Sequence, residues 1–231
     1  MKKLITGFCV LFLIFGCATN TGSGTKSSDA GKKSAEAAGP QPETTLVDDF
    51  ESDESLTLRF TYDDATDGGT STIVPASIPE EIKDKQVAME HSPGKGAEGS
   101  DGWFKMTGKV TTAFTYGYAG LGVKLNKDAI PVDLSEYTGI MLWAKGDGKK
   151  YRLQFVSKNV EDFCYYNFPF KAEKEWTLVK VPFKFIMQET WGAKKGKTES
   201  LQQVTALQIQ TIGQPIDSFE LNVDSIALYK E

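Results

Sequence analysis

Apolar residues recur at every second position in run after run of this chain, and nowhere do they hold helical spacing over a dozen residues. Side chains on a strand alternate between two faces, so such runs read as short strands, each with one apolar and one mixed face. The runs are Leu56–Tyr62, Gln86–Glu90, Trp103–Val110, Tyr116–Leu125, Ile140–Lys145, Tyr151–Val156, Phe163–Phe170, Trp176–Val181, Val204–Ile212 and Ser218–Tyr229. Turn-forming stretches such as Asp63–Gly69 and the glycine-rich Ser92–Gly102 separate them. Ile73–Ile82 carries two prolines and reads as a loop with one turn of helix near Pro79–Glu81. Roughly ten short strands with turns between them predict an all-β sandwich or jelly roll.

Asp133–Phe155 states the pattern most clearly. Ile140, Leu142 and Ala144 share one parity and Met141, Trp143 and Lys145 the other; Tyr151, Leu153 and Phe155 then alternate with Arg152, Gln154 and Val156. Gly146-Asp-Gly-Lys-Lys150 lies between, and its glycines predict a β-hairpin connection. Ile140, Leu142, Leu153 and Phe155 are therefore expected in the core wall, with Trp143, Arg152 and Gln154 together on the opposite face.

Before the strands comes an address. Lys2 and Lys3 precede an apolar run, Leu4–Phe15, that is too short to cross a hydrocarbon core of about 30 Å as a helix. Residues 1–16 read as a signal peptide. The run ends Ile14-Phe-Gly-Cys17, which resembles the lipobox of bacterial lipoproteins, with Cys17 as the lipidated residue; a secretory peptide with an incidental cysteine is the alternative. Ala18 after the cysteine implies sorting toward the outer membrane, so the expected location is the bacterial cell envelope. Residues 17–44 are mostly small and polar, cannot bury enough surface to offset ordering entropy, and read as a flexible tether. Residues 45–231 form the expected binding domain.

Several function classes drop out. With 26 basic against 31 acidic residues and no basic stripe, the chain lacks the footprint of a nucleic-acid binder. The folded part keeps only Cys164 and cannot form an intramolecular disulfide; flanked by Phe163 and Tyr165, that thiol reads as buried and structural. His91 is the one histidine and sits in a Ser-Pro-Gly-Lys loop, which leaves little for a triad or a histidine-rich metal site. Asp147, Glu161 and Asp162 occupy turn-like segments and read as solvated carboxylates. The long connection Phe183–Lys197 is expected to pack Trp191 over an end of the sandwich and leave Lys194, Lys195 and Lys197 in solvent.

Two constellations remain. If the first and last strands pair, Asp49, Glu51 and Asp224 converge as oxygen ligands suited to calcium; solvated edge carboxylates are the alternative. A sugar site needs aromatic rings for the apolar ring faces and planar polar groups for the hydroxyls. Trp143, Arg152, Gln154, Tyr165, Asn167, Gln208 and Gln210, all of outward parity, supply both, against the competing reading of an ordinary half-solvated sheet.

Leu46-Val-Asp-Asp-Phe-Glu51, Asp133–Ile140, Lys145-Gly-Asp-Gly148 with Tyr151-Arg-Leu, Trp176 leading to Val181-Pro-Phe183, and Val223-Asp-Ser-Ile226 with Leu228-Tyr229 resemble, in order, the complex I intermediate-associated protein 30 domain. That domain is similar to family 11 carbohydrate-binding modules and to galactose-binding-domain-like jelly rolls. The resemblance implies a non-catalytic two-sheet jelly roll whose ligand is a glycan or, in assembly factors, a protein. It also implies structural calcium held near the two chain ends. Expected ligand-binding residues are thus Trp143, Arg152, Gln154, Tyr165, Gln208 and Gln210, expected calcium ligands Asp49, Glu51 and Asp224, and expected partners a glycan or an envelope protein.

Overall fold

The computed structural model describes residues 42–52, 58–77 and 89–231. The signal peptide, Cys17, most of the tether, the turn at Pro79–Glu81 and most of the Gln86–Glu90 run lie outside the described residues.

Among the described residues, twelve strands make two antiparallel sheets. In chain order they are β1 (Glu43–Asp48), β2 (Leu58–Asp63), β3 (Thr72–Val74), β4 (Glu90–His91), β5 (Gly102–Val110), β6 (Ala119–Lys124), β7 (Gly139–Gly146), β8 (Lys150–Ser157), β9 (Tyr166–Lys171), β10 (Thr177–Pro182), β11 (Val204–Thr211) and β12 (Ile216–Lys230). The seven-stranded sheet runs β10-β7-β12-β5-β3, with β1 added along β12 and β4 along β5. The five-stranded sheet runs β2-β6-β11-β8-β9. A short helix, α1 (Lys197–Leu201), precedes β11.

The core lies between the sheets and follows the alternation. Ile140, Leu142, Val223 and Phe104 enter it from one side, and Leu153, Phe155, Leu121 and Ile209 from the other; each is at most 2% exposed. The jelly-roll sandwich predicted from strand count and turn spacing is therefore the observed architecture.

One expectation fails in an informative way. β7 and β8 do not form a hairpin: β7 pairs with β10 and β12, β8 with β11 and β9. The segment between them crosses from one sheet to the other, where Gly146 N and Gly148 N donate to Glu173 O and Ala172 O. Both strands still wall the core, but from opposite sides, so their outward faces point away from each other.

The chain enters the fold through Asp48-Asp-Phe-Glu51, in which every side chain has a structural partner. Asp48 grips the fully buried Arg59 through Nε at 3.0 Å and a second nitrogen at 2.7 Å. Phe50 is completely buried against Phe104, with the Arg59 guanidinium 5.2 Å from its ring centre. Asp49 accepts Glu51 N, and Glu51 accepts Gly102 N at 2.9 Å.

Candidate functional site

Strand register sets two rows of side chains on the outer face of the five-stranded sheet. Phe60, Gly122, Gln208, Gln154 and Asn167 lie side by side across β2, β6, β11, β8 and β9. Tyr62, Gly120, Gln210, Arg152 and Pro169 form the next row. At about 4.8 Å between strands each row spans about 19 Å. Met187 bridges to Asn167 beyond the edge strand and lengthens the first row.

Glycine makes the aromatic end of this face. A Cβ on Gly122 would fall 2.3 Å from Phe60 Cζ, and one on Gly120 2.5 Å from the Tyr62 ring. Only hydrogen at these positions lets both rings lie across β6. Phe60, Tyr62 and Tyr118 then form a chain of ring contacts, with centroids 6.0 and 5.9 Å apart, that Phe114 and Tyr116 continue. The Tyr118 hydroxyl donates to Asp67 at 2.7 Å, and that of Tyr62 reaches Gln210 at 3.5 Å. Burial, and then the neighbouring Tyr118, raises the Tyr62 phenol well above its ordinary value; burial, and then the bond to Asp67, does the same for Tyr118. Both therefore stay neutral hydroxyls across the ordinary pH range.

Polar groups occupy the centre. Arg152 donates to Glu189 at 3.0 Å, and Asn167 Nδ2 lies 3.5 Å from the same carboxylate oxygen. Among the described residues, Arg152 Nε and Gln154 Oε1 are buried with no hydrogen-bond partner. Such atoms cost stability unless a water or ligand completes them.

The segment that carries Glu189 is tied down beside β9. Cys164 Sγ donates to Trp191 O at 2.8 Å, and Asp162 accepts Ala193 N at 2.6 Å and Cys164 N at 3.2 Å. Burial pushes the Cys164 thiol up, in keeping with the structural role expected of it. The Ala193 and then the Cys164 N–H hold the Asp162 carboxyl below the ordinary aspartate value. A depressed pKa contributes stability that is present above the unfolded value and lost as pH falls through the folded one. Hydrogen-exchange protection of the Ala193 amide is therefore expected at neutral pH and should decline below about pH 4. Protection unchanged down to about pH 2 contradicts this anchoring.

Of the expected ligand-binding residues, the structure brings together Arg152, Gln154, Gln208 and Gln210, with Tyr165 two residues before Asn167 on the same side. Trp143 is not among them. It lies on the outer face of the seven-stranded sheet, paired with Leu178 and Asp224, because its strand belongs to the other layer. Trp103 and Trp176 share that region, their rings 6.5 Å apart and their indole N–H groups bonded to Asn222 and Lys95 O. Phe60 and Tyr62 are the floor residues that the sequence reading passed over. Their signal is present: two aromatics at alternate positions of β2 face two glycines at alternate positions of β6.

The expected calcium ligands are distributed differently from the expectation. β1 and β12 do pair, and Glu51 and Asp224 both reach the loop between β4 and β5. Asp224 is fully buried and accepts Ala97 N at 2.8 Å and Ser100 Oγ at 2.6 Å; burial raises its carboxyl while these bonds oppose the rise. Among the described residues, the acidic and histidine groups whose ligand atoms gather within 4.8 Å are Glu51, His91 and Asp101, without Asp49 or Asp224. The oxygens of Glu51 and Asp224 face N–H and O–H donors that pin the loop, so the three residues do not fit a shared calcium cage.

Comparison with known proteins agrees with this architecture. The family 11 carbohydrate-binding module from Clostridium thermocellum, solved with a β-1,3-1,4-mixed-linked tetrasaccharide, superposes with a TM-score of 0.55 at 16% identity, covering 81% of this chain and 95% of that one. The family 30 module of the cellulosomal cellulase Cel9D-Cel44B from the same organism gives 0.55 at 15% identity, covering 82% and 98%. Endoglucanase 3 of Fibrobacter succinogenes is 28% identical over 160 residues, 66% of this chain, and the chain spans only 22% of that protein's length. The family model for complex I intermediate-associated protein 30 matches residues 48–223, most of the sandwich. The chain belongs to the complex I intermediate-associated protein 30 (CIA30) family.

Proposed function

We propose that the outer face of the five-stranded sheet binds a glycan chain without cleaving it, in a protein held at the bacterial cell envelope by a lipid on Cys17. The observation that carries this is the aromatic run Phe60, Tyr62 and Tyr118, its first two rings laid over Gly122 and Gly120, beside Gln208, Gln210, Gln154 and Asn167. Pyranose rings offer apolar faces to such rings and hydroxyls to such amides. The mixed-linked tetrasaccharide named with the family 11 module and the endoglucanase relative favour a β-glucan. Electrophoresis through native gels containing soluble polysaccharides tests this: retardation by mixed-linked β-glucan is expected, and equal mobility in every gel overturns it. Loss of membrane fractionation in Cys17→Ser is the outcome expected of the anchor, and unchanged fractionation argues against it. Calcium held by Asp49, Glu51 and Asp224 together is not part of this proposal.

Gly122→Val is expected to weaken glycan binding on the order of tenfold, because the new side chain displaces Phe60 from the floor. Valine suits a strand, so the fold should persist at a cost of about 1–3 kcal/mol for overpacking. Binding within a factor of two of wild type, by calorimetry, contradicts a role for the Phe60 ring.

A polypeptide ligand on the same face is the second reading, favoured by Met187, bridged to Asn167, Phe163, in ring contact with Tyr165, and Trp191, held through its carbonyl by Cys164, each more than half exposed. Cross-linking in intact cells that recovers one stoichiometric envelope protein supports it, and recovery of none removes it.

A further inference from the structure

We infer that Glu189 decides the charge of the glycan this face accepts, holding it to neutral sugars and against uronates. This rests on the glycan reading above and goes beyond it. Arg152 is a cation at the centre of the face, and left alone it would recruit carboxylate-bearing sugars, since guanidinium and carboxylate match in geometry and charge. Glu189 Oε1 stands 3.0 Å from it and cancels that charge. The carboxylate does not reach there by chance of rotamer alone. Its segment is held by Cys164 on Trp191 O, by Asp162 on Ala193 N, by the bridge from Met187 to Asn167, and by Lys194 on Glu189 O.

Two orphaned atoms sharpen the selectivity. Arg152 Nε–H lacks an acceptor and Gln154 Oε1 lacks a donor, and Gln154 is only 7% exposed. Arg152 and Gln154 share one face of β8, two residues apart. A sugar hydroxyl both accepts and donates, so neutral hydroxyls complete both atoms. A carboxylate only accepts: it leaves Gln154 Oε1 unmet and places a second anion beside Glu189. The other charged groups bordering the face are Lys124 at one end of β6, Asp67 bonded to Tyr118 at the other, Lys150 and Lys171 beyond Arg152 and Pro169, with Lys171 paired to Glu173, and Lys194 on Glu189 O. Lys150, Lys171 and Lys194 are exposed, where solvent and salt screen them more than the central pair.

The test compares a mixed-linked β-glucan oligosaccharide with the same oligosaccharide oxidised at C6 to the glucuronate, titrated into the full chain. Wild type is expected to favour the neutral form on the order of tenfold. Glu189→Gln keeps the side chain's shape, frees the Arg152 charge, and should shift the neutral-to-acidic ratio toward the acid on the order of tenfold. Glu175→Gln changes net charge equally from an exposed turn before β10 and should leave the ratio in place. Equal wild-type affinities, a ratio that survives Glu189→Gln, or an equal shift in Glu175→Gln overturns the inference. If circular dichroism shows that Glu189→Gln is unfolded, Glu189→Ala and the wild-type ratio decide by the same criteria. Failure of wild type to bind the neutral oligosaccharide is a different result, and removes the glycan reading itself.

Discussion

Asp48→Ala is expected to destabilise the protein by about 3–5 kcal/mol, the cost of breaking a buried ion pair by removing one partner. Both side chains are at most 1% exposed, and Asp48 meets Arg59 in two parallel hydrogen bonds while also accepting Phe50 N at 3.0 Å. Alanine leaves the guanidinium in a space that water does not reach. For a domain of this size the loss corresponds to a melting temperature lower by roughly 6–20 °C. Asp48→Leu combined with Arg59→Met should recover most of it, because the desolvation cost of both charges disappears with them. A fall below about 1 kcal/mol in chemical denaturation would mean that the pair is open to solvent.

The largest expected effect on binding is that of Tyr62→Ala, a loss of about 10- to 100-fold in affinity for a β-glucan oligosaccharide. The Tyr62 ring touches both Phe60 and Tyr118, and its hydroxyl reaches toward Gln210. Truncation therefore removes apolar area under a sugar ring, a ring–ring neighbour and a hydroxyl, each worth on the order of 1 kcal/mol. The residue lies outside the core, so melting should move little by comparison. An affinity within a factor of two of wild type would place the sugar elsewhere.

Much of the architecture is legible in alternation. Ile140, Leu142, Leu153 and Phe155 read as core wall from parity alone and are buried as expected. Alternation reports which residues share a face of one strand, but not which strands share a sheet. Hence the tight-looking Gly146–Lys150 connection suggests a hairpin, while the chain there crosses between layers and carries Trp143 to the far side. The same limit hides the aromatic floor. Phe60 and Tyr62 look like an apolar strand face, and Gly120 and Gly122 like weak points in another strand. Their fit becomes visible only once β2 and β6 pair across some sixty residues of chain. Glu51 and Asp224 meet one loop because β1 and β12 pair, yet Gly102 N, Ala97 N and Ser100 Oγ take up their oxygens, while Asp49 accepts Glu51 N within its own segment.

The most direct measurement is a map of backbone and side-chain amide shifts in wild-type protein titrated with a mixed-linked β-glucan oligosaccharide. Saturable shifts are expected at Gly120, Gly122, Gln208 and Gln210 and at the side-chain amides of Gln154 and Asn167, with the indoles of Trp103, Trp143 and Trp176 unmoved. Shifts gathered on those indoles, or none at any concentration, would contradict glycan binding by the five-stranded sheet.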